Sequence, residues 1–116
     1  MWDTACKWIS NSGLDVNDSR LWANYGSAQY DVDGKTKIAG SKQTTGKSEY
    51  WKAKNIYDLA GNVAEWSYEK ASNYYVRRGA GYNTNWASSG AAYRYYGDIK
   101  VNIYPIIGFR IALYIM

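Results

Sequence analysis

Histidine is missing from this chain, and cysteine, proline and phenylalanine each occur once. Without histidine and with a single thiol, the sequence offers no Ser-His or Cys-His nucleophile pair. It also lacks an imidazole or soft metal site and an ordinary general base near neutral pH. Cys6 excludes an internal disulfide, and on the apolar side of a predicted helix it is expected to be a buried structural thiol. We therefore expect no enzymatic activity and no catalytic cofactor.

Long apolar runs are absent as well. No stretch of the sequence approaches the length of a membrane span, and the first residues lack the basic and apolar regions of a secretory signal. The expected protein is soluble and made in the cytoplasm. Its 116 residues suit one domain over 1–116, whose core is large enough to form without disulfides.

The net charge of +4 is concentrated in one basic segment between Gly34 and Lys54, in which Glu49 is the only acid. With Tyr50 and Trp51 nearby, such a segment could contact the phosphates of a nucleic acid. The alternative, which we favour, is a solvated loop, because the segment has no arginine and no repeated motif. Nucleic acid is therefore not the expected partner. The lysines are Lys35, Lys37, Lys42, Lys47, Lys52 and Lys54.

Periodicity predicts a short helix over residues 2–10, with an inward face formed by Trp2, Ala5, Cys6, Trp8 and Ile9. Residues 11–46 are rich in Asn, Asp, Ser, Gly and Lys and are predicted to be loops held by isolated aromatic residues. Alternation predicts strands at about 63–68, 74–79 and 109–116. In the last of these, a shared core face is expected for Phe109, Ile111, Leu113 and Ile115.

The segment Asn55-Ile-Tyr-Asp-Leu-Ala-Gly-Asn-Val-Ala-Glu-Trp66 combines a turn with the start of a strand. Gly61-Asn62 tolerates positive φ, and Asp58 and Glu65 flank this turn. Curling of the backbone around Gly61 could direct two carboxylates and freed carbonyls to a common centre, which suits calcium. Alternatively, Asp58 caps the turn and Glu65 pairs with an arginine.

This segment resembles the signature of the formylglycine-generating enzyme, or sulfatase-modifying factor, superfamily. Two further motifs follow in the family's order, Val76-Arg-Arg-Gly-Ala-Gly-Tyr82 and Ile107-Gly-Phe-Arg-Ile-Ala112, so the resemblance covers about residues 50 to 116. The chain departs from the family at Ala64, where a tryptophan is usual, and at Ala80, where a glycine is usual. The resemblance implies an α+β, C-type-lectin-like fold with a short N-terminal helix, a loop-rich middle and a small antiparallel sheet.

The resemblance also implies a set of ligands for a structural calcium ion and bears on catalysis. The calcium ligands would be side-chain oxygens of Asp58 and Glu65 and backbone oxygens of Gly61 and Val63. Enzymes of the family use a cysteine pair in the region that corresponds to about residues 88–96, and related sulfoxide synthases use a histidine cluster. This chain has neither, so an oxidase-like relative is retained only as an alternative.

Residues 83–106 have an unusual composition, with only Arg94, Asp98 and Lys100 charged among Tyr, Asn, Ser, Gly, Ala and small apolar residues. Such a composition is typical of a paratope, because tyrosine gives large contact area at low entropic cost and the small polar residues give adaptable hydrogen bonds. Scattered apolar residues in a segment expected to be solvated also indicate a contact surface. The alternative is that the tyrosines are half-buried and only fill space on the scaffold.

In variable proteins of diversity-generating retroelements, which share the resembled fold, the equivalent segment is the diversified ligand-binding surface. The resemblance thus implies a prokaryotic or phage display module, acting at a virion or cell surface, that binds a protein or surface ligand. A lectin-like sugar binder is a further alternative, although the calcium-bound sugar motifs of animal lectins are absent. Arg94 and Arg110 are expected to pair with acids. The predicted ligand contacts are Asn83, Asn85, Trp86, Tyr93, Tyr95, Tyr96, Ile99, Asn102, Ile103 and Tyr104.

Overall fold

The computed structural model describes residues 1–26, 33–35, 41–84, 90–96 and 107–111. One helix, α1 (Trp2–Ser10), precedes a two-stranded antiparallel sheet of β1 (Lys52–Ala53) and β2 (Ile56–Tyr57). A four-stranded sheet then forms from β3 (Ala64–Ala71), β4 (Tyr74–Arg78), β5 (Arg94–Tyr96) and β6 (Ile107–Gly108). This is a small α+β architecture, as the sequence predicts. None of the described helices has the length and apolar character needed to cross a membrane.

The four-stranded sheet has the order β5-β4-β3-β6 and is mixed. β3 pairs antiparallel with β4, and β4 pairs antiparallel with β5, whereas β6 runs parallel to β3. The predicted small antiparallel sheet is present as the β1–β2 pair, whereas the four-stranded sheet is mixed, because the chain returns to the far edge of β3 in the same direction. A shift of register interrupts the β3–β4 pairing between Trp66 and Lys70.

Helix α1 has the predicted bounds and buries Cys6 and Ile9. Trp8 is an exception to the predicted inward face, because its side chain is exposed and the Lys54 ammonium lies 4.4 Å from the centre of its ring. Residue 8 is rotated by about 100° around the helix axis from Ile9, which places it beside the buried stripe instead of on it. The helix contributes Cys6 and Ile9 to a buried cluster, whose other members are Trp22, Ala23, Tyr25, Ala53, Leu59, Ala60 and Ala91.

Asn62, in the turn before β3, ties three loops together. Its side chain donates to the carbonyl of Gln43 (2.8 Å) and accepts from the amide of the same residue (2.9 Å). Its backbone amide donates to the Asn24 carbonyl (3.0 Å), and its carbonyl accepts from Tyr82 (2.9 Å). Its φ of 59° is one that asparagine tolerates well. The turn is thus the junction of the loop-rich half of the protein.

The predicted core strand at the end of the chain is wrong for its described part. The strand is limited to Ile107–Gly108, and both Phe109 and Ile111 are exposed. Arg110 between them pairs with the buried Glu65, so the residue that reaches inward here is the charged one and not its apolar neighbours. Leu113 and Ile115 lie outside the described residues.

Candidate functional site

A row of side chains crosses one face of the four-stranded sheet. Trp66 on β3 is paired with Arg77 on β4, and Arg77 is paired with Tyr95 on β5. Residues directly opposite each other in antiparallel strands project to the same side, so these three side chains are neighbours. The same register places Lys70 opposite Tyr75, and residues two apart along a strand share a face. We call this surface the open face; its residues are Trp66, Lys70, Tyr75, Arg77, Tyr93 and Tyr95.

The Arg77 guanidinium occupies the middle of this row. Its central carbon lies 4.4 Å from the ring centre of Tyr95 and 5.8 Å from that of Trp66. Tyr93 extends the row, with its ring centre 6.2 Å from that of Tyr95 and the ring planes tilted by 57°. Cation–π and tilted aromatic contacts of this kind favour a fixed arrangement. The open face is thus an organised aromatic surface.

The two sides of the sheet differ in exposure at the centre of β4. On β4, Val76 and Arg78 are 0% and 1% exposed, whereas Tyr75, which precedes Val76 and faces the other side, is 46% exposed. Arg77, between Val76 and Arg78, is half-buried. Tyr93 and Tyr95 are 44% and 48% exposed. Single exposed aromatic residues are common on protein surfaces, but a contiguous group of them indicates a contact surface. The sheet therefore presents an aromatic side to solvent.

An ion-pair network on the opposite side holds β5 in position. Arg78 donates to Asp3 (2.7 Å), to Glu69 (3.0 Å) and to the carbonyl of Ala92 (3.2 Å). Arg94 donates to the remaining carboxylate oxygens of Glu69 (2.6 Å) and Asp3 (2.5 Å). The hydrogen bond from Arg78 lowers the pKa of the Asp3 carboxyl, and the bond to Glu69 raises the pKa of Arg94. The expected acid partners of Arg94 are confirmed, and they fasten β5 to α1 and β3.

The predicted ligand contacts divide into a described and an undescribed group. Asn83, Tyr93, Tyr95 and Tyr96 are all exposed. Tyr95 belongs to the open face, whereas Tyr96 pairs with Val76 and so projects to the other side at the sheet edge. These tyrosines belong to an ordered strand, which the sequence composition did not predict. The remaining predicted contacts, Asn85, Trp86, Ile99, Asn102, Ile103 and Tyr104, lie outside the described residues.

Sequence reasoning missed the part of the open face contributed by β3 and β4, chiefly Trp66, Tyr75 and Arg77. In the sequence, alternation over Val63 to Tyr68 puts Trp66 and Tyr68 on one side of a predicted strand, and this is the available signal. It could not identify that side as the exposed one, because burial depends on what packs against the sheet. Tyr68, beside the register shift, is fully exposed.

The predicted calcium ligands lie around the turn before β3, next to Arg110. Both carboxylate oxygens of Glu65 accept from Arg110, whose Nε lies 3.1 and 3.0 Å from them and whose Nη2 lies 2.8 Å from Oε1. Nη2 also donates to the backbone carbonyl of Asp58 (3.0 Å). The expected acid partner of Arg110 is thus confirmed, and so is the arginine alternative for Glu65. Val63 is half-buried, and Gly61 is buried.

Asp58 is buried and only half satisfied. Its Oδ2 accepts from the Gly46 amide (2.9 Å), while Oδ1 is buried without a hydrogen-bond partner among the described residues. Burial raises the pKa values of Asp58 and Glu65, and Arg110 opposes both shifts. No group of three or more acidic, cysteine or histidine side chains gathers as a metal site in the described ranges. The orphaned Oδ1 fits a hard cation, whereas Glu65 as arranged fits the guanidinium.

Gly61 is required at the centre of this turn. Its φ is +77°, and a Cβ atom added there would lie 2.5 Å from the backbone oxygen of Asn24, which is closer than atoms can approach. The parallel bridge between Asn24 and Gly61 depends on this approach. Glycine is therefore needed both for its conformation and for space.

The only cysteine is buried in the core, as predicted. Burial raises the pKa of the Cys6 thiol, so the thiolate form that acts as a nucleophile is disfavoured near neutral pH. Its position on the inward face of α1 agrees with a structural role.

Comparison of this chain with models of protein families, with curated proteins and with solved structures finds no match. The family resemblance and the function it implies therefore rest on the three sequence motifs and stay predictions.

Proposed function

We propose that this chain is a non-catalytic ligand-binding module with a C-type-lectin-like fold. It would bind a protein or surface ligand through the open face together with residues 83–106. The observation that carries the proposal is the contiguous row of Trp66, Arg77 and Tyr95 on the sheet, in which both aromatic side chains are exposed and Arg77 between them is half-buried. Tyrosine and tryptophan offer large contact areas with few rotatable bonds, which suits recognition of a macromolecule.

We further propose that the chain is the variable protein of a diversity-generating retroelement. Support comes from the order of the three motifs and from the Tyr, Asn and Ser content of residues 83–106. On this proposal β5 fixes two of the displayed tyrosines against the sheet, so that part of a variable surface would have a constant geometry. An oxidase-like enzyme is disfavoured by the absence of histidine and by the buried position of Cys6. Sugar binding would rely on aromatic stacking alone.

The decisive experiment is to sequence this gene and its flanking DNA from many cells of the source population. We expect substitutions confined to the codons for residues 83–106 and to positions that are adenines in a nearby template copy. An invariant segment would refute diversification and would leave a fixed binding surface with one partner.

A second experiment separates a contact surface from space-filling tyrosines. Replacing Tyr93 and Tyr95 by alanine should lower the free energy of unfolding by no more than about 1 kcal/mol each, because both rings are nearly half exposed. The matched control is Tyr25→Ala, in which a fully buried ring is lost at a cost of about 3–5 kcal/mol. Losses for Tyr93 and Tyr95 similar to that of Tyr25, measured by urea denaturation, would support the space-filling alternative.

A further inference from the structure

Arg77 differs from the other arginines of this protein. The sequence has five arginines, and Arg20, Arg78, Arg94 and Arg110 each form an ion pair with a carboxylate. Within the described residues Arg77 has no acidic partner, and its Nε is buried without a hydrogen-bond acceptor. Arg77 as a whole is half-buried, so the guanidinium is partly reachable from solvent while its Nε is an unsatisfied buried donor, which is unfavourable.

The aromatic neighbours hold the Arg77 guanidinium without consuming its donors. Contacts with the faces of the Tyr95 and Trp66 rings involve the π electrons of the rings and leave the N–H groups at the edge of the guanidinium plane unused. A guanidinium binds a carboxylate through two parallel hydrogen bonds made by that edge. An arginine held in this way loses less side-chain entropy when it binds a ligand.

The charge around Arg77 favours an anionic ligand. Lys70 supplies a second cation on the open face, with its ammonium 5.0 Å from the ring centre of Tyr75. The acids of β3, Glu65 and Glu69, project to the other side of the sheet and are engaged by arginines there. Two cations among aromatic rings suit a short acidic protein segment, whereas a nucleic acid strand needs a basic groove that follows its backbone.

We propose that Arg77, held between Trp66 and Tyr95, is a recognition site for an aspartate or glutamate side chain of an acidic protein ligand. This inference rests on the proposed binding function and names the chemistry of its ligand. Arg77 and Trp66 lie outside residues 83–106 and would be constant, whereas Tyr95 lies within the segment proposed to vary, so the site would join a constant anchor to the variable surface.

The test uses two capped peptides as probes, Gly-Glu-Gly-Glu-Gly and its neutral counterpart Gly-Gln-Gly-Gln-Gly. Each is titrated into the ¹⁵N-labelled protein while the Arg77 Nε–H and Trp66 indole N–H signals are followed. The acidic peptide should shift both signals with saturation. The neutral peptide should produce less than about a fifth of that shift at the same concentration, because an amide lacks the charge that strengthens the bond.

Variants then assign the response to Arg77. Arg77→Gln should abolish the shift of the Trp66 signal, and Arg77→Lys, which keeps the charge but not the planar donor edge, should weaken binding by at least about fivefold. The matched control is Lys47→Gln, which removes one charge from an exposed lysine in another loop and should bind as the unmodified protein does. Unchanged binding by both Arg77 variants would overturn the assignment.

Other outcomes are equally decisive. Equal shifts from both peptides, or no shift from the acidic one, would refute carboxylate recognition. Tighter binding of an oligothymidylate than of the acidic peptide at the same salt concentration would show that the site selects phosphate instead. Failure of the peptide test leaves the sequencing result for residues 83–106 untouched, and an invariant segment leaves the Arg77 titration untouched, so the two proposals fail separately.

Discussion

Removal of Arg110 should destabilise the protein, by an amount that grows with pH. The side chain of Glu65 is 7% exposed and both its oxygens accept from Arg110, whose own side chain is 32% exposed. Breaking a buried ion pair by deleting one partner costs about 3–5 kcal/mol. Because water reaches one side of this arginine, we expect Arg110→Ala to lower the free energy of unfolding by about 2–3 kcal/mol at pH 7.

The pH dependence follows from the pKa of Glu65. Burial raises this pKa above its ordinary value of 4.5, and Arg110 offsets only part of the rise. Because the folded state binds the proton more tightly than the unfolded state, ionisation of Glu65 opposes folding as the pH rises from 4.5 through the folded pKa. Without Arg110 the folded pKa rises further, and each added unit costs about 1.4 kcal/mol at a pH above it. Asp58 acts in the same direction. At pH 4 the loss should fall to about 1 kcal/mol, the value of the remaining hydrogen bonds.

Urea denaturation at pH 4 and pH 7 measures the loss in the free energy of unfolding caused by Arg110→Ala at each pH. Arg20→Ala is the control, because its ion pair with Asp18 is exposed and should contribute no more than about 1 kcal/mol at either pH. Adding Glu65→Gln to Arg110→Ala should recover much of the loss at pH 7, since a neutral amide replaces the unpaired buried charge. A loss that is the same at both pH values, or no recovery in the double variant, would refute the reasoning.

Two further predictions concern the turn before β3. Gly61→Ala should lower the free energy of unfolding by more than about 3 kcal/mol, since it adds a backbone clash to an unfavourable φ. The control is Gly13→Ala, which has a similar φ but open space around it and should cost about 1–2 kcal/mol. Equal losses in urea denaturation would contradict the close approach at Gly61. If calcium binds at Asp58, a chelator should lower the melting temperature of the unmodified protein but not that of Asp58→Ala. If the chelator changes the melting temperature of neither protein, calcium binding at Asp58 would be excluded.

The sequence by itself determined those elements that depend on local pattern. The spacing of Cys6 and Ile9 sets the inward face of α1, and the helix has the predicted bounds. Alternation located the cores of β3 and β4. The arginine alternative for Glu65 could also be stated in advance, because a buried carboxylate beside a turn requires a partner.

Tertiary structure alone decided which side of the sheet is exposed and how residues 109–111 are placed. The row of Trp66, Arg77 and Tyr95 depends on the register of three strands, and two of these residues lie outside the segment that composition singled out. Part of that segment forms β5, in which Arg94 is held by ion pairs with Asp3 of α1 and Glu69 of β3. Phe109 and Ile111 are exposed, against the apolar alternation, whereas Arg110 between them pairs with Glu65. The physical reason is that leaving the buried Glu65 carboxylate unpaired would cost more free energy than exposing two apolar side chains.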